Sequence, residues 1–220
     1  MNMHSTRDIF LLPILGAMTL MATGCGPRTE QLDTMKITVP AGKERLPVVF
    51  LAHNGYGKVE DWGNFTDELA KKDYVVVNIG WTDFHGDDIS KDIARVMEKY
   101  GDRIDTTRAA FIGGCHGGIK MITAMQSPLP ITLKAIVFLS MSEINPPPLD
   151  HAPILGVYCA NDHLGAKYVR VQKEVYETVI QDPKKVIVLD STPHGTEIVV
   201  DNQTKDRVRP EILSWLEEYL

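Results

Sequence analysis

The residues best suited to chemistry in this chain are a cysteine within a glycine cluster and, further along, an aspartate and a histidine. Cys115 stands in the run GGCHGG at 113–118, and Asp162 and His194 each follow an apolar run. A thiolate is a strong nucleophile, a histidine can hold or move its proton, and a carboxylate can orient the histidine. These residue types together indicate nucleophilic catalysis through a covalent intermediate.

The glycine cluster has the local sequence of a nucleophile elbow, a strained turn between a strand and a helix. Gly113 and Gly117 occupy the positions where such a turn needs small residues. Cys115 would lie at the N-terminus of the helix, where partial positive charge favours a thiolate, and the backbone N–H of His116 would face an oxyanion. Two alternatives stay open. A glycine-rich turn can bind phosphate, although G-x-G-x-x-G and P-loop patterns are absent here, and a lone cysteine can be a small buried apolar residue.

The acid and the histidine follow the cysteine in the chain order that nucleophile-elbow enzymes use. Asp162 comes just after the apolar run Ile154–Cys159, and His194 comes just after the next run, Val186–Leu189. Both would therefore lie on loops at the carboxyl edge of a parallel sheet, where such sheets bind ligands. Either residue alone could be an ordinary loop residue. Together with the cysteine they predict a catalytic triad of Cys115, Asp162 and His194.

The loop after the first central strand is the second element of the predicted site. It reads HNGYG at 53–57, and in this arrangement such a loop supplies a further oxyanion N–H. Gly55 is the expected donor, with Asn54 and Tyr56 beside it in the substrate pocket. Trp81, in the loop after the following strand, is a further candidate for the pocket wall, as is Phe84. The alternative is that the glycines simply permit a tight turn.

Apolar runs that alternate with helical patterns must position these residues. The predicted strands are Met35–Val39, as an antiparallel edge strand, then Val48–Ala52, Tyr74–Ile79, Ala109–Ile112, Ala135–Leu139, Ile154–Cys159 and Val186–Leu189. The predicted helices are Asp61–Lys72, Ile89–Tyr100 with Asp87 or Asp88 as its cap, Ile119–Met125, Lys167–Ile180 and Pro210–Tyr219. This alternation predicts an α/β fold, with a mostly parallel central sheet, helices on both faces and no large lid. Cys159, inside a strand, is expected to be a core residue.

The N-terminal segment has the character of an export signal. Ile9–Ala22 is apolar and uncharged, too short to span a bilayer comfortably, and small residues lead from it to Cys25. This resembles a bacterial lipobox, which implies an exported lipoprotein anchored at Cys25 and facing the periplasm or the cell exterior. We therefore expect a signal peptide at 1–24, a polar tether at 25–34 and one domain over 35–220. A cleaved signal without lipidation, a short anchor or a cytoplasmic protein are the alternatives.

Composition narrows the classes of partner and cofactor. The net charge of −6 argues against a nucleic-acid surface, and three scattered cysteines do not form a disulfide framework or a zinc ribbon. A metal site built from His53, His85, His116 and His163 is a weaker alternative, because no H-x-x-x-H or C-x-x-C pair supports it. We expect no cofactor and no metal, and a small-molecule acyl substrate as the partner. The sequence does not indicate the oligomeric state.

The cysteine motif and the order of the three residues resemble the α/β-hydrolase superfamily over Met35 to Leu220, and within it the dienelactone hydrolase family. The run GCHGG at 114–118 matches that family's G-x-C-x-G-G elbow. The resemblance implies hydrolysis of carboxylic esters, lactones or thioesters through an S-acyl enzyme. The sequence departs from the family at 53–54, where a glutamate is expected, and at 80–85, where no substrate-binding arginine stands. These departures argue against a dienelactone as the substrate.

Two other functions are compatible with the same residues. A non-catalytic envelope lipoprotein could keep this fold as a binding scaffold. An acyltransferase could use the same triad with an alcohol or amine in place of water.

Overall fold

The computed structural model describes residues 26–42, 44–81, 88–141, 152–179 and 184–220. The strands are Arg28–Leu32 (β1), Met35–Val39 (β2), Leu46–Ala52 (β3), Val75–Ile79 (β4), Ile104–Gly114 (β5), Leu133–Leu139 (β6), Ile154–Cys159 (β7) and Lys184–Leu189 (β8). The α-helices are Phe65–Ala70 (α1), Ile89–Tyr100 (α2), His116–Met125 (α3), Ala166–Glu174 (α4) and Lys205–Tyr219 (α5). Short 3₁₀ turns at Val59–Trp62 and Gly195–Val199 and a π-helical turn at Val175–Val179 complete the described elements.

The strands form one eight-stranded sheet in the order β1-β2-β4-β3-β5-β6-β7-β8. The first two strands are antiparallel to their neighbours, whereas all pairs from β4 to β8 along the sheet are parallel. Parallel strands must be covered on both faces, and the side chains of β4 and β7 are accordingly buried throughout. The carboxyl ends of β3, β5, β7 and β8 meet at one edge of this sheet.

Alternate residues of each central strand supply two apolar cores. On β3, Val49 and Leu51 pack with side chains of α1 and α5, whereas Val48 and Phe50 pack with side chains of α2 and α3. A third cluster joins α3 to the π-helical turn through Ile122. The helices therefore cover both faces of the sheet, and the predicted α/β fold is confirmed.

Most predicted elements are present, with shifted ends. The helix predicted over Asp61–Lys72 is a 3₁₀ turn and then α1, separated at Gly63, whose φ of 51° breaks the helical path. α3 begins at His116 instead of Ile119, since its first turn includes the glycines of the elbow. α5 begins at Lys205, because Pro210 is accommodated inside the helix. The cap of α2 is Asp88, whose side chain accepts a hydrogen bond from the backbone N–H of Ser90.

The polar tether expected at 25–34 is wrong over Arg28–Leu32, which forms β1. This strand pairs with β2 along its whole length, from Arg28 opposite Val39 to Leu32 opposite Met35. Its polar side chains suit an exposed edge strand, and this polarity is what made the sequence resemble a linker. The prediction that β2 is the edge strand is also wrong, because β1 lies outside it in the sheet. The predicted antiparallel direction of β2 is confirmed.

The segment 1–24 expected to be a signal peptide lies outside the described residues, as do Cys25, Phe84, His85 and Asp87. Within the described ranges, no helix is long and apolar enough to cross a membrane. Cys159 is fully buried in β7, as expected for a core residue, and its sulfur lies 3.1 Å from the hydroxyl of Ser191.

Candidate active site

Cys115 occupies a strained turn between β5 and α3. Its φ of 49° and ψ of −115° are unusual for a residue with a side chain, and such backbone strain concentrates at functional sites. Its backbone N–H donates to the carbonyl of Leu139, at 2.8 Å, which fixes the turn to the end of β6. A side chain at Gly117 would collide with the carbonyl of Ala52. The turn therefore depends on the small residue that the elbow pattern predicts.

Asp162 and His194 are brought together from loops after β7 and β8. Oδ2 of Asp162 lies 2.6 Å from Nδ1 of His194, and both side chains are almost completely buried. Asp162 also accepts hydrogen bonds from the backbone N–H of Leu164, at 2.9 Å, and from the side-chain amide of Gln172, at 3.2 Å. Burial raises the pKa of Asp162, but these hydrogen bonds and the His194 charge outweigh it and leave the pKa below its usual value. The carboxylate is therefore built to stay ionised.

His194 is polarised by its two neighbours. Burial lowers its pKa, but the hydrogen bond to Asp162 and the interaction with Cys115 raise it to about 9. With Nδ1 committed to Asp162, the buried Nε2 has no hydrogen-bond partner in the described part of the chain. Cys115 and His194 border the same cavity. Nε2 is thus the ring nitrogen left to exchange a proton at this cavity.

Asn54 links the loop after β3 to the loop that carries the histidine. Its Oδ1 accepts the backbone N–H of Thr196 at 2.9 Å, and its Nδ2 donates to the carbonyl of His194 at 3.4 Å. A Cβ at Gly114 would lie 2.7 Å from Oδ1 of Asn54, and one at Gly195 would collide with the same side chain. Asn54 borders the cavity, and its amide holds the two loops together.

Trp81 supports the same loop from behind. Its indole N–H donates to the carbonyl of Gly55 at 3.2 Å, and its ring stacks on His53 with centroids 3.7 Å apart. Nδ1 of His53 in turn lies 2.6 Å from the carbonyl of Asn54, and burial lowers the pKa of this imidazole. In the described structure Trp81 does not border the cavity, so its expected place in the pocket wall is not where the ring lies.

The cavity at the carboxyl edge has a volume of about 580 Å³. It brings together Cys115 and His194 with both expected oxyanion residues, Gly55 and His116, and with the expected pocket residue Tyr56. Its remaining walls come from the two 3₁₀ turns, α3, α4 and the loops after β3 and β7, and are formed by Asn54, Gly57, Asp61, Ile119, His163, Leu164, Tyr168 and Glu197. This volume lies within the range of small-molecule sites in proteins.

Two of the histidines that the sequence offered as metal ligands, His53 and His163, make other contacts. His53 is stacked under Trp81, whereas Nδ1 of His163 lies 3.2 Å from the carbonyl of Thr192. Across the described ranges, no three histidine, cysteine or carboxylate side chains converge in a way that could hold a metal ion.

Sequence reasoning missed two residues that shape the site, Gln172 and Glu197. Gln172 is fully buried, and the signal for it was available: it stands three residues before Val175 and four before Tyr176, a polar residue within an apolar helical face. Glu197 accepts the backbone N–H of His194 at 3.0 Å. Its position three residues after the histidine is the spacing of a helix-capping carboxylate.

The strand order, the parallel sheet and the strained cysteine turn after β5 define an α/β-hydrolase fold. Solved structures with this fold support the assignment at low sequence identity. A protein assigned as a dienelactone hydrolase from Klebsiella pneumoniae subsp. pneumoniae MGH 78578 is 18% identical, with a TM-score of 0.60 over 84% of this chain and 92% of its own. An α/β-hydrolase enzyme from a Medee basin deep-sea metagenome library is 15% identical, with a TM-score of 0.64 over 88% and 98%.

An esterase is also among the similar structures. Esterase B from Lactobacillus rhamnosis, solved with a tributyrin phosphonate inhibitor, is 15% identical, with a TM-score of 0.64 over 87% of this chain and 85% of its own. No family model and no curated protein sequence matches the chain. At these identities the similarity establishes the fold, and the chemistry has to be argued from the site.

Proposed function

We propose that the protein hydrolyses carboxylic esters, lactones or thioesters, with Cys115 as the nucleophile. One observation carries the proposal: the strained Cys115 opens on the same cavity as His194, whose other ring nitrogen lies 2.6 Å from the buried carboxylate of Asp162. This is the constellation of nucleophile, base and orienting acid that acyl transfer requires. The esterase and the hydrolases among the similar structures support the same class of reaction.

In the first half of the reaction the thiolate of Cys115 adds to the substrate carbonyl carbon. In this mechanism the resulting oxyanion is held by the backbone N–H groups of Gly55 and His116, two residues that border the cavity. When the tetrahedral intermediate collapses, the bond to the leaving group breaks, and Nε2 of His194 gives its proton to the departing oxygen or sulfur. The products of this half are a free alcohol or thiol and an S-acyl enzyme.

In the second half a water molecule attacks the S-acyl carbonyl. Nε2 of His194 takes the proton of the water, the new C–O bond forms, and the C–S bond to Cys115 breaks. The carboxylic acid leaves, and the thiolate and the imidazolium are restored together. Asp162 holds Nδ1 throughout, which keeps Nε2 directed at the cavity. The elevated pKa of His194 suits a group that carries a proton in the resting site.

The test is hydrolysis of p-nitrophenyl butyrate and of a butyryl thioester by the full chain and by Cys115→Ala. We expect the variant to lose on the order of a thousandfold or more in kcat, since the nucleophile is removed. Alkylation with iodoacetamide should inactivate the wild-type chain, and peptide mapping should place the label on Cys115. Equal turnover by the two chains would overturn the proposal and favour a binding scaffold.

Cys159→Ala is the matched control for the thiol chemistry. Cys159 is fully buried in β7, and burial raises the pKa of its thiol, so it should contribute neither turnover nor rapid labelling. Added alcohol or amine distinguishes hydrolysis from transfer. Formation of new esters or amides at the expense of free acid would identify an acyltransferase.

We also propose that the chain is exported and lipidated at Cys25, on the basis of the apolar run Ile9–Ala22 and the small residues that follow it. Mass spectrometry of the protein from bacterial membranes should find a diacylglyceryl group on Cys25. The Cys25→Ala chain should lack the group and leave the membrane fraction. An unmodified chain in the soluble fraction would contradict this proposal.

A further inference from the structure

No lysine or arginine offsets the acidic side chains of the cavity wall in the described structure. Asp61 and Glu197 both border the cavity. Acid side chains are ionised at neutral pH unless burial opposes it. A substrate that enters this cavity therefore meets negative charge.

The two carboxylates are held by backbone groups on separate elements. Oδ2 of Asp61 accepts the backbone N–H of Lys58 at 2.9 Å. Oε2 of Glu197 accepts the N–H of His194 at 3.0 Å and lies 3.4 Å from Nδ1 of His163. Glu197 remains about half exposed, at 49%, so its charge is available to the cavity. The charges are fixed in position and belong to the walls of the reaction site.

The remaining walls offer aromatic and apolar surface. Tyr56 is 97% exposed, Tyr168 is 41% exposed and Leu164 is 43% exposed, and all three border the cavity. Large exposed apolar side chains gathered at one place commonly mark a binding surface. Aromatic faces attract ammonium groups, and more strongly when carboxylates stand nearby. The cavity thus combines both features that bind organic cations.

We propose that the cavity selects acyl substrates that carry a positively charged group beside the scissile bond, and discriminates against anionic ones through Asp61 and Glu197. The carboxylate of Asp162 is fully buried behind His194, so Asp61 and Glu197 are the carboxylates that a substrate in the cavity meets. The inference rests on the proposed hydrolase function and names its substrate class. This preference for cationic substrates is the opposite of what is expected for a site in which an arginine binds a substrate carboxylate.

Three butyryl thioesters with the same acyl group provide the test. Their thiols are thiocholine, 3,3-dimethylbutanethiol, which replaces the ammonium by an isosteric neutral group, and 2-mercaptoethanesulfonate. Release of butyric acid is followed by pH-stat at about pH 8, below the pKa of about 9 of His194, and this assay needs no thiol reagent that could react with Cys115. Because the three leaving thiols differ in acidity, each kcat/KM is divided by the rate constant for hydrolysis of the same thioester by hydroxide. We expect this ratio to fall from the cationic to the neutral to the anionic thioester, by about fivefold at each step. Added salt should compress the series.

Variants assign the selection to the two carboxylates. Asp61→Asn and Glu197→Gln should each reduce the preference for the cation over the sulfonate by about fivefold. Glu98→Gln is the matched control, because it removes one negative charge from an exposed position on α2 that does not border the cavity. It should leave the preference unchanged.

The outcomes separate the two proposals. Turnover that depends on Cys115 but favours the sulfonate, or treats all three thioesters alike, would overturn the inference and leave the hydrolase intact. A cation preference that both cavity variants retain would overturn the role of the carboxylates. Absence of Cys115-dependent turnover with every thioester would overturn the proposed function, and the inference with it.

Discussion

The side-chain amide of Gln172 lies 3.2 Å from Oδ2 of Asp162, the same oxygen that meets His194 at 2.6 Å. Gln172 reaches this position from α4 and is fully buried. Its amide donates to the carboxylate, whereas its own carbonyl oxygen has no partner among the described residues. A buried oxygen without a hydrogen-bond partner destabilises the folded state. We therefore infer that the amide of Gln172 is kept at this position for its hydrogen bond to Asp162.

Gln172→Met removes this donor with little change in size. Because a hydrogen bond to a charged group contributes about 1.5–3 kcal/mol, we expect kcat/KM to fall by roughly tenfold or more. The pKa of Asp162 should rise, since the amide lowers it. Kinetics as a function of pH check both effects, because the acid limb of the profile should move to higher pH.

Lys173→Met is the control for the Gln172 variant. Lys173 is on the same helix, its side chain is 60% exposed, and its Nζ lies 3.7 Å from the carboxylate of Glu177. Exposed pairs of this kind contribute little. An unchanged pH profile in Gln172→Met, with the loss confined to stability, would show that the glutamine has no positioning role.

Asn54 and Gly195 should be energetically coupled. A side chain at Gly195 would collide with the amide of Asn54, and the φ of Gly195 is 57°, a conformation that alanine adopts only with strain. Gly195→Ala should therefore lower the free energy of unfolding by about 2–3 kcal/mol, of which about 1 kcal/mol is the backbone term.

A double-mutant cycle measures this coupling. In the Asn54→Ala background the collision is absent, so Gly195→Ala should cost only the backbone strain. Urea unfolding of the four chains gives the values. Additive effects would mean that the loop moves away from Asn54 without cost, and that the two residues do not determine each other.

The sheet and the loops that carry Cys115, Asp162 and His194 were predictable because each depends on local pattern. Buried parallel strands appear as continuous apolar runs, and residues directly after them lie at one edge of the sheet. β1 was not predictable in this way. An exposed edge strand is stabilised by pairing with β2, and its own polar side chains give no alternation that distinguishes it from a linker.

The direction in which a loop side chain points was also not predictable from the sequence. The sequence makes Trp81 a candidate for the pocket wall, but an aromatic residue on a loop can equally be a packing residue. The structure instead stacks its ring on His53, which is 1% exposed, and directs its N–H to Gly55. This placement depends on the packing between two loops that are far apart in the chain, and one local pattern cannot specify it.

Trp81→Phe tests whether the indole N–H positions the loop after β3, which carries Gly55. Phenylalanine can retain the stacking on His53 but leaves the Gly55 carbonyl without its donor. Loss of a hydrogen bond between neutral groups typically costs about 1 kcal/mol, so we expect kcat to fall about fivefold with KM nearly unchanged. Steady-state kinetics on a thioester provide both constants. A rise in KM at constant kcat would instead assign Trp81 to substrate binding.

The elevated pKa of His194 predicts the alkaline limit of activity. Asp162 and Cys115 raise this pKa to about 9, and the proposed mechanism needs the proton on Nε2 when the leaving group departs. Above pH 9 the imidazolium loses that proton. The value of kcat/KM for a thioester should therefore hold through neutral pH and then fall as the pH rises through about 9.

Asp162→Asn shows whether that limit belongs to the pair. The asparagine lacks the negative charge that stabilises the imidazolium, so the pKa of His194 should decrease and the alkaline limb should move to lower pH. Asp190→Asn is the control, because Asp190, in the loop after β8, accepts an exposed hydrogen bond from Asn161 in the loop after β7, at 2.8 Å, and does not border the cavity. Rates with thioesters of different thiol leaving groups should share the same alkaline limb. If the alkaline limb of the pH profile stays near pH 9 in Asp162→Asn, a group other than His194 sets it. The pKa of His194 itself should decrease when its carboxylate partner is lost.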